Sequence, residues 1–227
     1  MEFKQLHSWH LSYKEAIRLQ DTLKDLLILK KPQGKVCTVA GTDVSYDKAS
    51  DRFFAGVVVF KLHGTLELIE EVTAVGKVRF PYVPGLLSFR EAPILLRAFK
   101  RLKNNPDVIL FDGQGIAHPR NFGLASHMGV ILDKPSIGCA KSRLIGEHAE
   151  VENEPGAYSK LLYKNRIVGA VLRTKKNTNP VYVSPGHKIN LTCAIRIVLT
   201  TCRGYRIPEP IRRAHILVNE LRKSYLH

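Results

Sequence analysis

The chain is predicted to fold as an α/β protein, a mixed sheet of three antiparallel strands followed by parallel ones, flanked by helices on both faces. Apolar runs over 36–40, 53–60 and 66–75 follow one another through short polar or glycine-bearing connections, so they pair most economically as antiparallel neighbours. Beyond residue 85, helical and strand-like patterns alternate, as they do where helices cross over between parallel strands. Within that second half, Val108-Ile109-Leu110-Phe111 ends abruptly in Asp112-Gly113-Gln114-Gly115. This reads as the carboxyl end of a buried strand, where ligands and catalytic groups collect.

Each element has its own local cause. Ser12-Tyr13-Lys14-Glu15 is a capping box, and Ala16, Leu19, Leu23, Leu26, Leu27 and Lys30 follow at near-helical spacing, which predicts a first helix ended by Pro32 and Gly34. The strand over 36–40 leads into Gly41-Thr42-Asp43-Val44-Ser45, and residues 47–51 and His63-Gly64 link the next two strands. In Arg79-Phe80-Pro81-Tyr82-Val83-Pro84-Gly85, two prolines stiffen the backbone around Tyr82 and present its ring with little freedom to retreat. Ser88-Phe89-Arg90-Glu91 is a second capping box, opening a helix through Leu95, Leu96, Ala98, Phe99 and Leu102, with Pro93 tolerated near its start. A helix over 122–132 and a strand over 136–139 come next, the strand running into Ala140-Lys141-Ser142-Arg143. Segments 161–163 and 168–172 form a hairpin turning at Asn165, 181–184 is a further strand, Asn190 caps a helix, and Pro208 and Pro210 begin the last one, which carries His215. No repeat or linker divides the chain, so residues 1–227 are expected to form one domain.

Composition narrows the partners. With 44% hydrophobic and 24% charged residues the chain is an ordinary globular sequence, not a disordered one. Its 35 Lys and Arg against 20 Asp and Glu leave a net charge of +15, and such a surplus favours a polyanion because counterions released from phosphate drive association. Cys37, Cys139, Cys193 and Cys202 have neither C-x-x-C pairing nor zinc spacing and read as small hydrophobes in a reducing cytosol. No signal-peptide core and no run of membrane-spanning length is present, so a soluble, cytoplasmic protein is expected, with no membrane partner.

Two carboxylates stand at strands, Asp43 and Asp112, and they lie side by side if the first and fourth strands are neighbours. Adjacent carboxylates without a fixed positive partner repel one another, and a divalent cation removes that cost. A small set of oxygen ligands, open to water and phosphate, suits Mg²⁺, with Mn²⁺ as a substitute, and on a basic protein such an ion activates water against a phosphodiester. Lys141, just past a strand end, would neutralise charge on phosphorus, and Glu91 or His215 would orient water or bind metal. Solvated lysine, cap glutamate and backbone-bound histidine are the bland readings of these positions, and His118, His127 and His187 are open to the last.

The motifs Val39-Ala40-Gly41-Thr42-Asp43, 80–91, 111–120, Gly123-Leu124-Ala125-Ser126-His127, 138–144 and Val183-Ser184-Pro185-Gly186-His187 together resemble the endonuclease V family, deoxyinosine-directed repair nucleases of the ribonuclease H-like fold. The resemblance runs from about Leu6 to the last helix. It implies Mg²⁺-dependent hydrolysis of the second phosphodiester 3′ to deoxyinosine, leaving 3′-hydroxyl and 5′-phosphate ends. Asp43 and Asp112 would bind metal, Glu91 would be a third acid, and Lys141 would lie near the scissile phosphate. Pro81, Tyr82, Val83 and Pro84 would form the wedge that fills the gap left by the flipped base, Val83 standing where the family often has Ile. Gly85, Leu87, Gly113, Ile116 and His118 would form the hypoxanthine pocket. His215 matches a position that is Asp in some members. The expected partner is deoxyinosine-containing DNA, met by a monomer. Two other readings stand beside it: a ribonuclease H-like nuclease acting on inosine-containing RNA or branched DNA, and a non-catalytic nucleic-acid-binding domain.

Overall fold

The computed structural model describes residues 1–3, 5–62 and 64–226, so His63 of the expected second link lies outside the described residues. Eight strands form one sheet: β1 (Thr38–Asp47), β2 (Arg52–Lys61), β3 (Glu67–Gly76), β4 (Val108–Phe111), β5 (Ser136–Ala140), β6 (Tyr158–Tyr163), β7 (Arg166–Leu172) and β8 (Val181–His187), in the order β3-β2-β1-β4-β5-β8-β7-β6. The helices are α1 (Tyr13–Leu23), α2 (Leu87–Phe99), α3 (Leu124–Leu132), α4 (Leu191–Thr201) and α5 (Glu209–Leu226). As expected, β1, β2 and β3 are antiparallel, and β4 and β5 join β1 in parallel. The three later strands are more than an appendage, because β8 pairs antiparallel with β5 and carries β7 and β6 outward.

Strand alternation divides the core. Ala40, Ile109 and Phe111 face α2 and α3, while Val39, Val108, Leu110 and Ile137 face α4 and α5. Gly41 lets α5 sit directly on β1, since a Cβ there would fall 2.1 Å from the Pro210 carbonyl carbon. No described helix is long and apolar enough to cross a membrane.

Several local expectations need correction. The capping box of Ser12 and Glu15 forms, but α1 ends at Leu23, and Lys24–Leu26 tightens to a 3-10 turn before Leu27 turns extended. Leu26, Leu27 and Lys30 therefore leave the helical stripe, as the chain swings toward the His187 ring that accepts from the Ile28 N–H at 3.4 Å. The first strand does not stop before Asp43, because ten register pairs with β2 keep it extended from Thr38 to Asp47. The second capping box is absent: Leu86 is the N-cap of α2, no side chain caps it, and Ser88 already lies inside the helix. Pro93 is accordingly the seventh helical residue and not one of the first. Lys164 and Asn165 both adopt positive φ (50° and 59°), giving the two-residue turn expected between β6 and β7, and the Asn190 side chain caps α4 through the Cys193 N–H.

Candidate active site

β1 and β4 run parallel with Thr42 opposite Phe111, so Asp43 and Asp112 follow as the next residue on each strand. Neither stands alone. Lys141, one residue past β5, donates to Asp112 Oδ2 at 2.5 Å, and His215 Nδ1, presented by α5, lies 2.8 Å from Asp43 Oδ2. Asn219 Nδ2 donates to His215 Nε2 at 3.1 Å, which assigns the ring proton to Nδ1 and points it at the carboxylate. The expected pair of carboxylates without a fixed positive partner is thus corrected, since the fold supplies a lysine ammonium to Asp112 and an imidazole N–H to Asp43.

The charges remain in tension. Burial and then the neighbouring Asp112 push the Asp43 carboxyl up, against the pull of His215 and Lys141. Glu91, projecting from α2 and partly accessible, is pushed up to about 8, first by lost hydration and then by Asp43 and Asp112. Partial burial alone would depress the Lys141 ammonium, but its bond to Asp112 raises it instead. Asp43 and Glu91, both raised by burial and by Asp112, leave a centre short of positive charge. Among the described residues no three acidic, histidine or cysteine side chains converge as a preformed metal cage. One or two carboxylates with water and phosphate satisfy Mg²⁺, and Asp43 with Asp112 fits that donor set.

A cavity of about 380 Å³ opens beside Asp112 and Lys141, walled by Tyr82, Val83, Pro84, Gly85 and Leu87 on one side and by Gly113, Gln114 and His118 on the other. Tyr82 is 68% exposed, and the Arg90 guanidinium lies 6.0 Å from its ring. Pro81 precedes it on the surface, and Ile116 is not among the residues lining the cavity, its N–H going to the Pro185 carbonyl at 2.8 Å. His118 is buried, with Nε2–H donating to the Gly85 carbonyl at 3.0 Å and Nδ1 accepting from the Arg120 N–H at 3.2 Å. Burial and Arg120 hold it down at about 4, so it is neutral at neutral pH and has no ring nitrogen left for a ligand. A larger groove of about 710 Å³ runs between the amino-terminal segment and α2, but it holds none of these acids.

Sequence reasoning misassigned Ser88 as the cap of α2. Its hydroxyl lies 3.0 Å from Nδ1 of the buried His127, whose Nε2 meets His7 Nε2 at 2.8 Å. The hydroxyl that was expected to cap α2 therefore ties it to α3 and to the amino-terminal segment. Gln114, read in the sequence as part of the loop that follows Asp112, donates from Nε2 to the Ser142 carbonyl at 3.1 Å, while its buried Oε1 has no partner among the described residues. For the Ser88 contact with His127, the only hint in the sequence was a polar residue amid buried neighbours.

Asp43 within β1 and Asp112 just past the carboxyl end of the neighbouring β4, in a mixed sheet with helices on both faces, place the chain in the ribonuclease H-like class of folds. The family model for Endonuclease V matches residues 21–216, and the chain belongs to the endonuclease V family. It is 47% identical over 221 residues to the Dehalococcoides mccartyi protein of that name, covering 97% of this chain and 99% of that one. The crystal structure of Streptomyces avermitilis Endonuclease V superposes with a TM-score of 0.91 at 41% identity, over 97% of each chain. Ciona intestinalis Endonuclease V, solved with a 23mer DNA containing an inosine followed by a ribo-adenosine, superposes with a TM-score of 0.83 at 27% identity, over 95% of this chain and all of the other.

Proposed function

We propose that this endonuclease hydrolyses the second phosphodiester 3′ to a deoxyinosine, leaving 3′-hydroxyl and 5′-phosphate ends, with Mg²⁺ held by Asp43 and Asp112. The observation that carries the reading is the juxtaposition of the strained carboxylate centre with a cavity edged by an exposed tyrosine. The inosine-bearing DNA on the Ciona protein supports the lesion.

The bound metal would lower the pKa of water and stabilise the departing oxyanion. The chain's residues do the rest. Lys141 places a positive charge beside Asp112, where a phosphate would otherwise meet only acids. Glu91 holds a proton near neutral pH, would release it to solvent once a bound cation offset its neighbours, and as a carboxylate would then accept a proton from the attacking water. His215 fixes the Asp43 carboxylate through its Nδ1–H. Flipping a base costs a few kcal/mol, and Tyr82, with Pro81, Val83 and Pro84 setting its loop, restores part of the lost stacking. The cavity walls of Gly85, Leu87 and Gly113 admit hypoxanthine and strand the extra amino group of guanine without a partner. The basic surplus anchors the DNA backbone, and the chain acts as a monomer in the cytoplasm.

The deciding experiment is nicking of a labelled duplex bearing one deoxyinosine, with Mg²⁺ or EDTA, beside an undamaged duplex and Asp43→Ala. A metal-dependent cut one nucleotide beyond the lesion, lost in both controls, is expected. A second reading, cleavage of inosine-containing RNA, is favoured by the ribo-adenosine that follows inosine in the Ciona complex. A cut confined to inosine RNA would move the substrate and keep the chemistry. Silence on both would return the chain to a binding role.

A further inference from the structure

The segment 83–86 joins the Tyr82 loop to the helix of Glu91. Leu86 N–H donates to the Val83 carbonyl at 2.9 Å, Pro84 takes the second position and Gly85, at φ +78°, the third, as a type II turn requires. The peptide between Gly85 and Leu86 is thereby fixed at its N–H, and its carbonyl is held more firmly still. That oxygen accepts from Gln20 Nε2 at 3.1 Å, His118 Nε2 at 3.0 Å and Arg120 Nη2 at 2.7 Å.

Gln20 is 1% exposed, on the buried face of α1 between Ala16 and Leu23, where packing alone would favour an apolar residue. Its other amide hydrogen goes to the Phe122 carbonyl at 2.9 Å, and its Oε1 accepts from Arg120 Nε at 2.6 Å. Every polar function of the side chain is used, in bonds to the turn at Gly85 and to the segment that carries Arg120 and Phe122. A carbonyl oxygen has two lone pairs, so with three donors it has nothing to offer a base. The uncapped first turn of α2, with Leu87 and Ser88 in the cavity wall, is left to present N–H groups. Those suit the carbonyl oxygen of hypoxanthine and oppose the amino group that adenine carries there.

We propose that Gln20 and Arg120 are positioning residues which, with His118, clamp the Gly85 carbonyl and so set discrimination of hypoxanthine from adenine. This rests on the reading that the cavity takes a flipped base.

The test uses the full chain and its Gln20→Met, Arg120→Met and doubly substituted forms. KM and kcat are measured on a deoxyinosine duplex and on the same duplex with deoxyadenosine at that position. A 2-aminopurine beside the lesion reports unstacking on binding without metal, and melting curves give the folded fraction. Each single variant is expected to raise KM about 10-fold, to leave kcat within about 3-fold, and to lower the inosine-to-adenosine cleavage ratio about 10-fold. The double variant should be no worse than the poorer single one, because both donors share one oxygen. Arg120→Lys, at a half-buried position, loses the guanidinium fork with less risk to folding and must shift the ratio in the same direction. Wild-type KM, aminopurine signal and ratio with only a smaller folded fraction would overturn the clamp, as would effects that multiply. A wild-type chain that does not cut the deoxyinosine duplex overturns the functional reading and the clamp with it.

Discussion

The carboxylate centre and the support beneath the Tyr82 loop lie within one side chain's reach of the same cavity, yet they are built on opposite terms. In the first, Asp43, Glu91 and Asp112 crowd together, and Lys141 and His215 only partly offset their repulsion. In the second, Gln20, His118 and Arg120 all donate to the Gly85 carbonyl, and Arg120 also donates to Gln20. Repulsion is tolerable where a cation and a phosphate are to enter, because the ligand relieves it. A surface that reads a base by its hydrogen-bonding edge gains nothing from such tension, since any slack would admit the wrong edge.

The comparison breaks most sharply at Asp112→Ala. Removing a carboxylate proposed to hold the metal should cost several kcal/mol of transition-state stabilisation, about 10³-fold in single-turnover cleavage of a deoxyinosine duplex, while gel-shift affinity for that duplex is retained. Equal loss of cleavage and binding would erase the distinction between the two regions.

The two regions should also answer pH with opposite signs. His118 sits at about 4 in the fold. Unfolded it titrates near 6.5, so between those values the unfolded chain binds more protons and stability falls as pH falls. The loss is on the order of 3 kcal/mol, and His118→Asn should flatten it in urea titrations at pH 7, 5.5 and 4. Buried His127, also held well below its ordinary value, adds in the same direction.

Tyr82→Ala should weaken binding of the lesion by roughly 1–3 kcal/mol, the worth of one stacked base, with little change in kcat at saturating enzyme. A proportional fall in kcat would place the ring in the chemistry and not in base flipping.

The smallest effect on stability is expected at Glu91→Gln, because the partial accessibility of that side chain screens its repulsion. Because Glu91 lies at about 8 in the fold against 4.5 in a free side chain, the native state keeps a proton that the unfolded chain has lost. Stability therefore declines as pH rises from 4.5 through 8. The variant, without metal, should gain Tm of about 3 °C at pH 8 and less at pH 5 while losing cleavage. No gain at pH 8 would mean that the centre carries less tension than its geometry implies.

Much of this was legible without coordinates because it is local. The apolar run closed by Asp112, the hairpin turning at Asn165, the Ser12 capping box and the Asn190 cap each depend on neighbours within a few residues. Ser88 shows where that logic fails: its spacing to Glu91 is that of a cap, but the preceding turn starts the helix two residues earlier, and its hydroxyl goes to His127, 39 residues away. The same limit hid the pairing of β5 with β8 and the polar side chain of Gln20 on an apolar helix face.

The sequence by itself determined the α/β order of elements, the basic charge, the two strand-borne aspartates and the stiff loop around Tyr82, since periodicity, composition and proline geometry are properties of short stretches. Only the tertiary structure decided that Lys141 meets Asp112, that His215 meets Asp43 across 172 positions, and that three distant donors converge on Gly85. Those contacts depend on register between strands and on where α1 and α5 dock. Both are set by burial of the two apolar faces of one sheet, and no local pattern encodes the outcome.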